Sequence, residues 1–142
     1  MIERVLIPVD GSEQSERACE LVFAEFPEAT LVLLHVINPV EAGYSTGAAI
    51  PSASEEWYDR QRELANEHLD EIEAAAAEHG IEVDRAIEVG KPIRAIVAYA
   101  EEHDVDHIVM GSHGREGVSR VLLGSVAETI VRRSPVPVTV VR

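Results

Sequence analysis

Residues 30–37 read Thr-Leu-Val-Leu-Leu-His-Val-Ile, a nearly unbroken apolar run of eight positions. That is far too short to cross a membrane and lacks the alternation of a strand with one wet face, so it describes a strand covered on both sides, as in a parallel sheet. Parallel strands need crossover connections, and the rest of the chain supplies them. Residues 4–9 form a second apolar run that breaks at Asp10-Gly11-Ser12, a turn followed by a good helix N-cap. From Glu13 to about Phe26 the spacing of Ala18, Val22 and Phe26 predicts a helix, with Glu13 and Glu16 suiting its positive end and Pro27 stopping it. A long helix is expected from Glu55 to about His79, with Trp57, Leu64, Leu69, Ile72 and Ala76 on one side and Gly80 as its stop. Further strands are expected over 82–89, 106–110 and 137–141, separated by helices that begin after Gly90-Lys91-Pro92 and at Ser125. The alternation predicts an α/β fold: one open, parallel, doubly wound sheet with helices on both faces, forming a single domain over residues 1–142. Residues 38–54, with Pro39, Gly43, Gly47 and Pro51, have no period and form a long loop, either a lid, a partner-binding loop or a plain connection.

Bulk properties narrow the function. A chain of 142 residues buries roughly two-thirds of its unfolded surface without staples. No apolar stretch approaches a membrane span, and the first residues lead straight into a strand without a signal-peptide pattern, so a cytoplasmic location is expected. The lone Cys19 falls on the apolar stripe of its helix and is expected to act as a small hydrophobe rather than a redox group. With 26 acidic against 12 basic residues, the formal charge of -14 opposes nucleic acid and anionic lipid as partners. Lys91 is the only lysine, the other basic residues are arginines, and glutamates crowd the expected outer helix faces; this composition suits a high-salt, halophilic cytosol.

Ligands of doubly wound sheets bind beyond the carboxyl ends of the strands, which leaves the segments beginning at Asp10, Val36, Gly90 and Gly111. Asp10, Glu13 and Glu16 crowd the first helix terminus and would repel phosphate. The segment 111–120 is the opposite case. It carries Gly111, Ser112, His113, Gly114, Arg115, Gly117, Ser119 and Arg120 against one acid, Glu116. It leads to Gly124-Ser125, where Ser125 is expected to cap the last helix and leave the amides of Gly124, Ser125 and Val126 directed at an anion. Glycines at these positions would let backbone approach phosphate oxygens, although glycines that merely turn the chain would look the same.

The spacing Gly111, two residues, Gly114, nine residues, Gly124-Ser125 resembles the nucleotide motif of the universal stress protein family. The opening Ile7-Pro8-Val9-Asp10-Gly11-Ser12 with Ser15, and the turn Gly90-Lys91-Pro92, resemble that family as well. The resemblance spans essentially the whole chain and implies the Rossmann-like strand order 3-2-1-4-5. For the ATP-binding branch it further implies that Pro8, Val9 and Asp10 border the adenosine and that Val36 offers backbone groups to adenine. Met110, Gly111, His113, Gly114, Gly124, Ser125 and Val126 would wrap ribose and phosphates. It implies ATP as ligand, with Mg2+ or Mn2+ accompanying the phosphates, although the sequence has no separate metal-ligand spacing. Asp10 would also serve as a simple turn and cap. The resemblance also implies a homodimer through the last strand, Val138–Val141, whose apolar edge is a poor surface to leave in water.

No general base stands out near the phosphates, so no residue is assigned a catalytic role. A nucleotide-dependent regulatory protein in the stress response is favoured, with a protein partner yet to be identified. The alternatives are a slow ATP hydrolase or nucleotidyl-transfer enzyme in the same pocket, or an interaction domain independent of nucleotide. A phosphoryl receiver would want an acceptor Asp where Val89-Gly90 stands. Neither Gly-Lys-Ser/Thr nor an early G-x-G-x-x-G is present. His35 and His107, in or beside strands, are expected to be structural.

Overall fold

The computed structural model describes residues 2–41, 54–112 and 123–142. Its elements run β1 (Arg4–Pro8), α1 (Glu13–Glu25), β2 (Thr30–Ile37), α2 (Glu55–Glu78), β3 (Val83–Val89), α3 (Pro92–Glu102), β4 (His107–Gly111), α4 (Ser125–Arg133) and β5 (Val138–Val141). All strand pairs are parallel and the sheet order is β3-β2-β1-β4-β5. This is the expected doubly wound architecture.

The continuous apolar runs are explained by burial on both faces. Val5, Ile7, Leu31, Leu33 and Val109 turn to one side, where they pack with Ala18 and Val22 of α1 and Leu69, Ile72 and Ala76 of α2. Leu6, Val32, Leu34, Ile108 and Met110 turn to the other, against Ile96, Tyr99 and Ala100 of α3 and Ala127 and Ile130 of α4. Successive residues of one strand thus serve two cores, which is why a two-residue alternation is missing from the sequence.

One helix face differs from expectation. Leu64 is 48% exposed, and the buried row of α2 is Ala65, Leu69, Ile72 and Ala76. Spacings of four, three and four residues keep that row on one stripe, whereas Leu64 sits about 100° away from Ala65. The small Ala65 was the less visible choice beside a leucine.

Two polar clusters fix the periphery. Arg85 on edge strand β3 donates to Asp70 (2.6 Å), Glu73 (2.9 Å) and the side chain of Asn66 (2.8 Å), tying α2 to the sheet. Before β4, Asp106 accepts from the backbone N–H groups of Glu3 and Arg4, both at 2.9 Å, and these bonds hold its carboxyl below the usual range. At the other edge, His107 Nε2 lies 2.7 Å from Thr139 Oγ1 and joins β4 to β5, while Phe26 stands 5.6 Å from its ring. His35 likewise bonds through Nδ1 to the Val9 carbonyl at 3.0 Å. Both histidines therefore have structural partners. Among the described residues no helix is long and apolar enough to cross a membrane.

Candidate functional site at the β1–β4 crevice

The sheet winds in opposite directions from β1, with β2 on one side and β4 on the other, so the strand order reverses between β1 and β4. Such a reversal opens a crevice beyond the strand ends because the two connections leave on opposite faces. The register Val5↔His107 and Leu6↔Ile108 sets the carboxyl ends of β1 and β4 side by side. Two segments begin at these strand ends: the turn after Pro8, and the start of α4, which Gly124 ties to Ser112 just past β4.

The first is built by short-range hydrogen bonds. The Val9 N–H donates to the Leu34 carbonyl (2.9 Å) and continues the sheet one residue past β1. Asp10 Oδ1 accepts the Ser12 N–H at 2.9 Å, and Gly11 takes φ +82°, which a side chain would resist. Ser12 then caps α1, its Oγ accepting the Ser15 N–H at 3.1 Å, while Ser15 Oγ donates to the Ser12 carbonyl at 2.9 Å. Asp10 thus performs the turn role, which uses one carboxylate oxygen. Glu13 and Glu16 occupy the first turn of α1, so this helix start is closed to anions as expected.

The second segment corrects one expectation. Gly124, not Ser125, is the N-cap of α4, and Ser125 is its first helical residue. The Gly124 N–H is also already committed, donating to the Ser112 carbonyl at 2.8 Å, while the Ser112 N–H donates to Val141 at 2.7 Å. These two bonds pin the helix start to the ends of β4 and β5. A glycine suits the cap because a tertiary bond replaces the side-chain cap, and α4 has no side-chain cap bond. Among the described residues the amides of Ser125, Val126 and Ala127 have no backbone acceptor, since they precede the helix ladder, whose first bond is Glu128 N–H to the Gly124 carbonyl at 2.9 Å. Arg132 and Arg133 close the far end, so the dipole's positive end faces the crevice uncompensated except by Glu128.

The remaining predicted positions fall around these two segments. Pro8 and Gly111 end their strands, and Val9 and Met110 are buried beside them. Val36 lies on β2 beyond the pair Pro8↔Leu34, where β2 outruns β1 and pairs with β3 through Val36↔Glu88. It overhangs the crevice from the side opposite β4. Ser125 and Val126 are exposed. His113 and Gly114, with Arg115 and Arg120, lie outside the described residues. Gly111 has a packing reason of its own: a Cβ there would come within 2.4 Å of Gln14 Cβ and 3.0 Å of the Gln14 carbonyl carbon. Its lack of a side chain lets α1 approach the end of β4. Gln14 was not singled out by sequence reasoning and Ser112 entered only as a hydroxyl of segment 111–120, because Gln14 meets Gly111 and the Ser112 backbone meets Gly124 and Val141 through tertiary contacts that local pattern does not encode.

No group of three or more His, Cys, Asp and Glu side chains among the described residues is arranged to hold a metal ion. Those residues do not form a protein cage, and a cation accompanying a polyphosphate would take most of its ligands from phosphate oxygens and water.

The sequence matches the universal stress protein family over residues 1–142. The chain belongs to that family. Among its relatives, universal stress protein MJ0577 of Methanocaldococcus jannaschii is 34% identical, with 100% of this chain and 96% of the relative aligned. YxiE of Bacillus subtilis is 32% identical over the whole of both chains. The solved structure of MJ0577 superposes with a TM-score of 0.85, covering 99% of this chain and 96% of that one. A universal stress protein solved in complex with cAMP superposes with a TM-score of 0.67 at 26% identity, covering 99% and 97%. The open parallel sheet and its reversal point in this universal stress protein are thus the family's own.

Proposed function

We propose that this universal stress protein binds an adenine nucleotide, ATP, in the crevice between β1 and β4, and that residues 1–142 act as one nucleotide-binding unit. The observation that carries the reading is the first turn of α4, held at the end of β4 by the Gly124–Ser112 bond, without a side-chain cap and without backbone acceptors among the described residues for its Ser125, Val126 and Ala127 amides, in an otherwise acidic chain. The glycine spacing at 111, 114 and 124 supports it, and a 26%-identical relative of the same fold was solved with cAMP. In this reading Asp10, beside Pro8 and Val9, approaches the ribose with the carboxylate oxygen its turn leaves over, and Val36 borders the base. Met110 and Gly111 floor the pocket, and His113, Gly114, Gly124, Ser125 and Val126 surround the phosphates with Mg2+ or Mn2+ bound to them.

The protein acts in the cytoplasm as a homodimer paired through β5. Nucleotide occupancy biases that dimer because the bonds from Gly124 to Ser112 and from Ser112 to Val141 link the phosphate end of the site to the edge strand. A ligand shifts only states it binds differently, and this linkage is where the difference would arise. Calorimetric titration with ATP, ADP and GTP in high-potassium buffer containing magnesium tests the reading, with Gly114→Glu as a blocked site. ATP-selective binding that is absent in a folded Gly114→Glu protein is expected. A folded wild type that binds none of the three would overturn it.

A further inference from the structure

α2 leaves Leu64 48% exposed and Trp57 half-buried, and two contacts fix the direction in which these side chains stand. With about 100° between successive residues, Asn66, Asp70 and Glu73 lie about 80–140° to one side of Ala65 and its buried row, and all three bond to Arg85 on the edge strand β3. That flank therefore faces the edge of the sheet. Trp57, Leu64 and His79 lie about 40–100° to the other side, and the His79 ring stacks on Phe23 of α1 with 4.9 Å between centroids. The flank with Trp57 and Leu64 accordingly faces inward, toward α1 and β1.

Height along the sheet follows from the connections. α2 returns antiparallel to the strands it joins, since β2 and β3 are parallel. The Leu31 N–H donates to the carbonyl of Glu82, shortly after α2, which sets the end of the helix level with the start of β2. The 24 residues of α2 span about 36 Å and the eight residues of β2 about 26 Å. Leu64 thus comes level with Val36, and Trp57, about two turns farther out, overhangs the carboxyl ends of the strands. Tyr58 stands edge-on to Trp57 with 5.1 Å between centroids, and Arg62 lies 5.7 Å over the Tyr58 ring, so the indole belongs to a packed aromatic group. A nucleotide laid with its phosphates at α4 and its ribose at Asp10 carries its base away from β4, to the end of β2 beside this flank. The base is the flat, apolar part of such a ligand, and an indole offers the largest face to cover it. We propose that the inner flank of α2 recognises the purine base, Trp57 covering its face and Leu64 bordering its edge. This rests on the nucleotide reading above and adds the residues that read the base.

Trp57 is the only tryptophan of the chain, so its fluorescence reports on this flank alone. The test titrates the full chain with ATP, adenosine and inorganic tripolyphosphate, following indole emission at an excitation that adenine does not absorb and the heat of binding in parallel. ATP and adenosine are expected to change the emission, and ATP to do so with the same midpoint as the heat, whereas tripolyphosphate gives heat without an emission change. Trp57→Ala should lose about tenfold or more in ATP affinity while keeping its affinity for tripolyphosphate, and Trp57→Phe should retain most of the ATP affinity. Leu64→Gln should weaken ATP severalfold at an unchanged urea midpoint, which separates the contact from the fold. ATP that binds calorimetrically with unaltered emission and with equal affinity for Trp57→Ala would overturn the inference and leave the nucleotide reading standing. A Trp57→Ala protein weakened equally toward ATP and tripolyphosphate would overturn it as well, because the loss would then not belong to the base. A folded wild type that binds no nucleotide overturns both.

Discussion

Single residues show how the two cores constrain chemistry. Cys19 is 3% exposed, and burial, reinforced by Glu16 and Glu20, pushes its thiol up to about 12. The thiolate is the reactive form, so native Cys19 should be inert to iodoacetamide at pH 8 and react only after denaturant is added; labelling of the native protein at the rate of a free thiol would contradict this. The half-buried His107 is shifted the other way, its pKa lowered by desolvation. The native state therefore favours the neutral ring and the unfolded chain takes up the proton first. Stability from this group is complete above the ordinary histidine pKa of about 6.5 and is lost as pH falls through the lower folded value. Urea midpoints should decline across that window in wild type and decline less in His107→Gln, which keeps a polar partner for Thr139. An identical decline in the variant would assign the effect elsewhere. Gly111 carries a steric constraint instead: Gly111→Ala drives a methyl into Gln14 and should cost roughly 1–3 kcal/mol, read from the shift in urea midpoint.

At the scale of elements, two helix starts in one sheet do opposite work. α1 is closed by a side-chain cap and two glutamates, and Ser12→Ala should cost about 1 kcal/mol by stranding the Ser15 N–H. α4 is capped by backbone alone and left open, so Ser125→Glu separates stability from binding. A carboxylate in the first turn should stabilise the helix by about 0.3–1 kcal/mol while repelling phosphate, giving a protein that melts no lower than wild type but binds ATP far more weakly. A variant that keeps full affinity would remove the α4 terminus from the site. The sequence carried most of this architecture, because doubly buried strands leave unbroken apolar runs such as 30–37 and each crossover helix begins at a visible turn. Ser12 was readable as a cap because its partner Ser15 is three residues away. Gly124 was not, since its partner Ser112 lies across a connection, and neither was the exposure of Leu64, since the choice between it and Ala65 is made by the neighbouring strand. The strand ends lining the crevice were legible in number and order, whereas which amides remain free depended on tertiary bonds.

At the scale of the whole molecule, the charge and the sheet edge set the terms on which the protein persists in solution. All four residues of β5 are half-buried with β4 on one side only, so pairing with a second copy would satisfy its outer backbone groups, and sedimentation at micromolar concentration should give a dimer that Val140→Pro disrupts. The acidic surface makes a further demand. Along α2 the exposed Glu63, Glu67 and Glu71 follow one another at four-residue spacing, two like-charge pairs each costing about 0.2–0.5 kcal/mol where screening is weak. None of the three takes part in the Arg85 network, which uses Asp70 and Glu73. Raising KCl from 0.1 M shortens the screening length from about 10 Å to about 3 Å at 1 M, so repulsion should fade over that range and change little beyond it. The urea midpoint is expected to rise between 0.1 and 1 M KCl and then flatten. Glu67→Gln, which removes both pairs at once, should be more stable than wild type at 0.1 M and indistinguishable from it at 2 M. A midpoint that climbs steadily with salt, equally in both proteins, would mean that salt acts by strengthening apolar burial, and the acidic face of α2 would then play no part in salt adaptation.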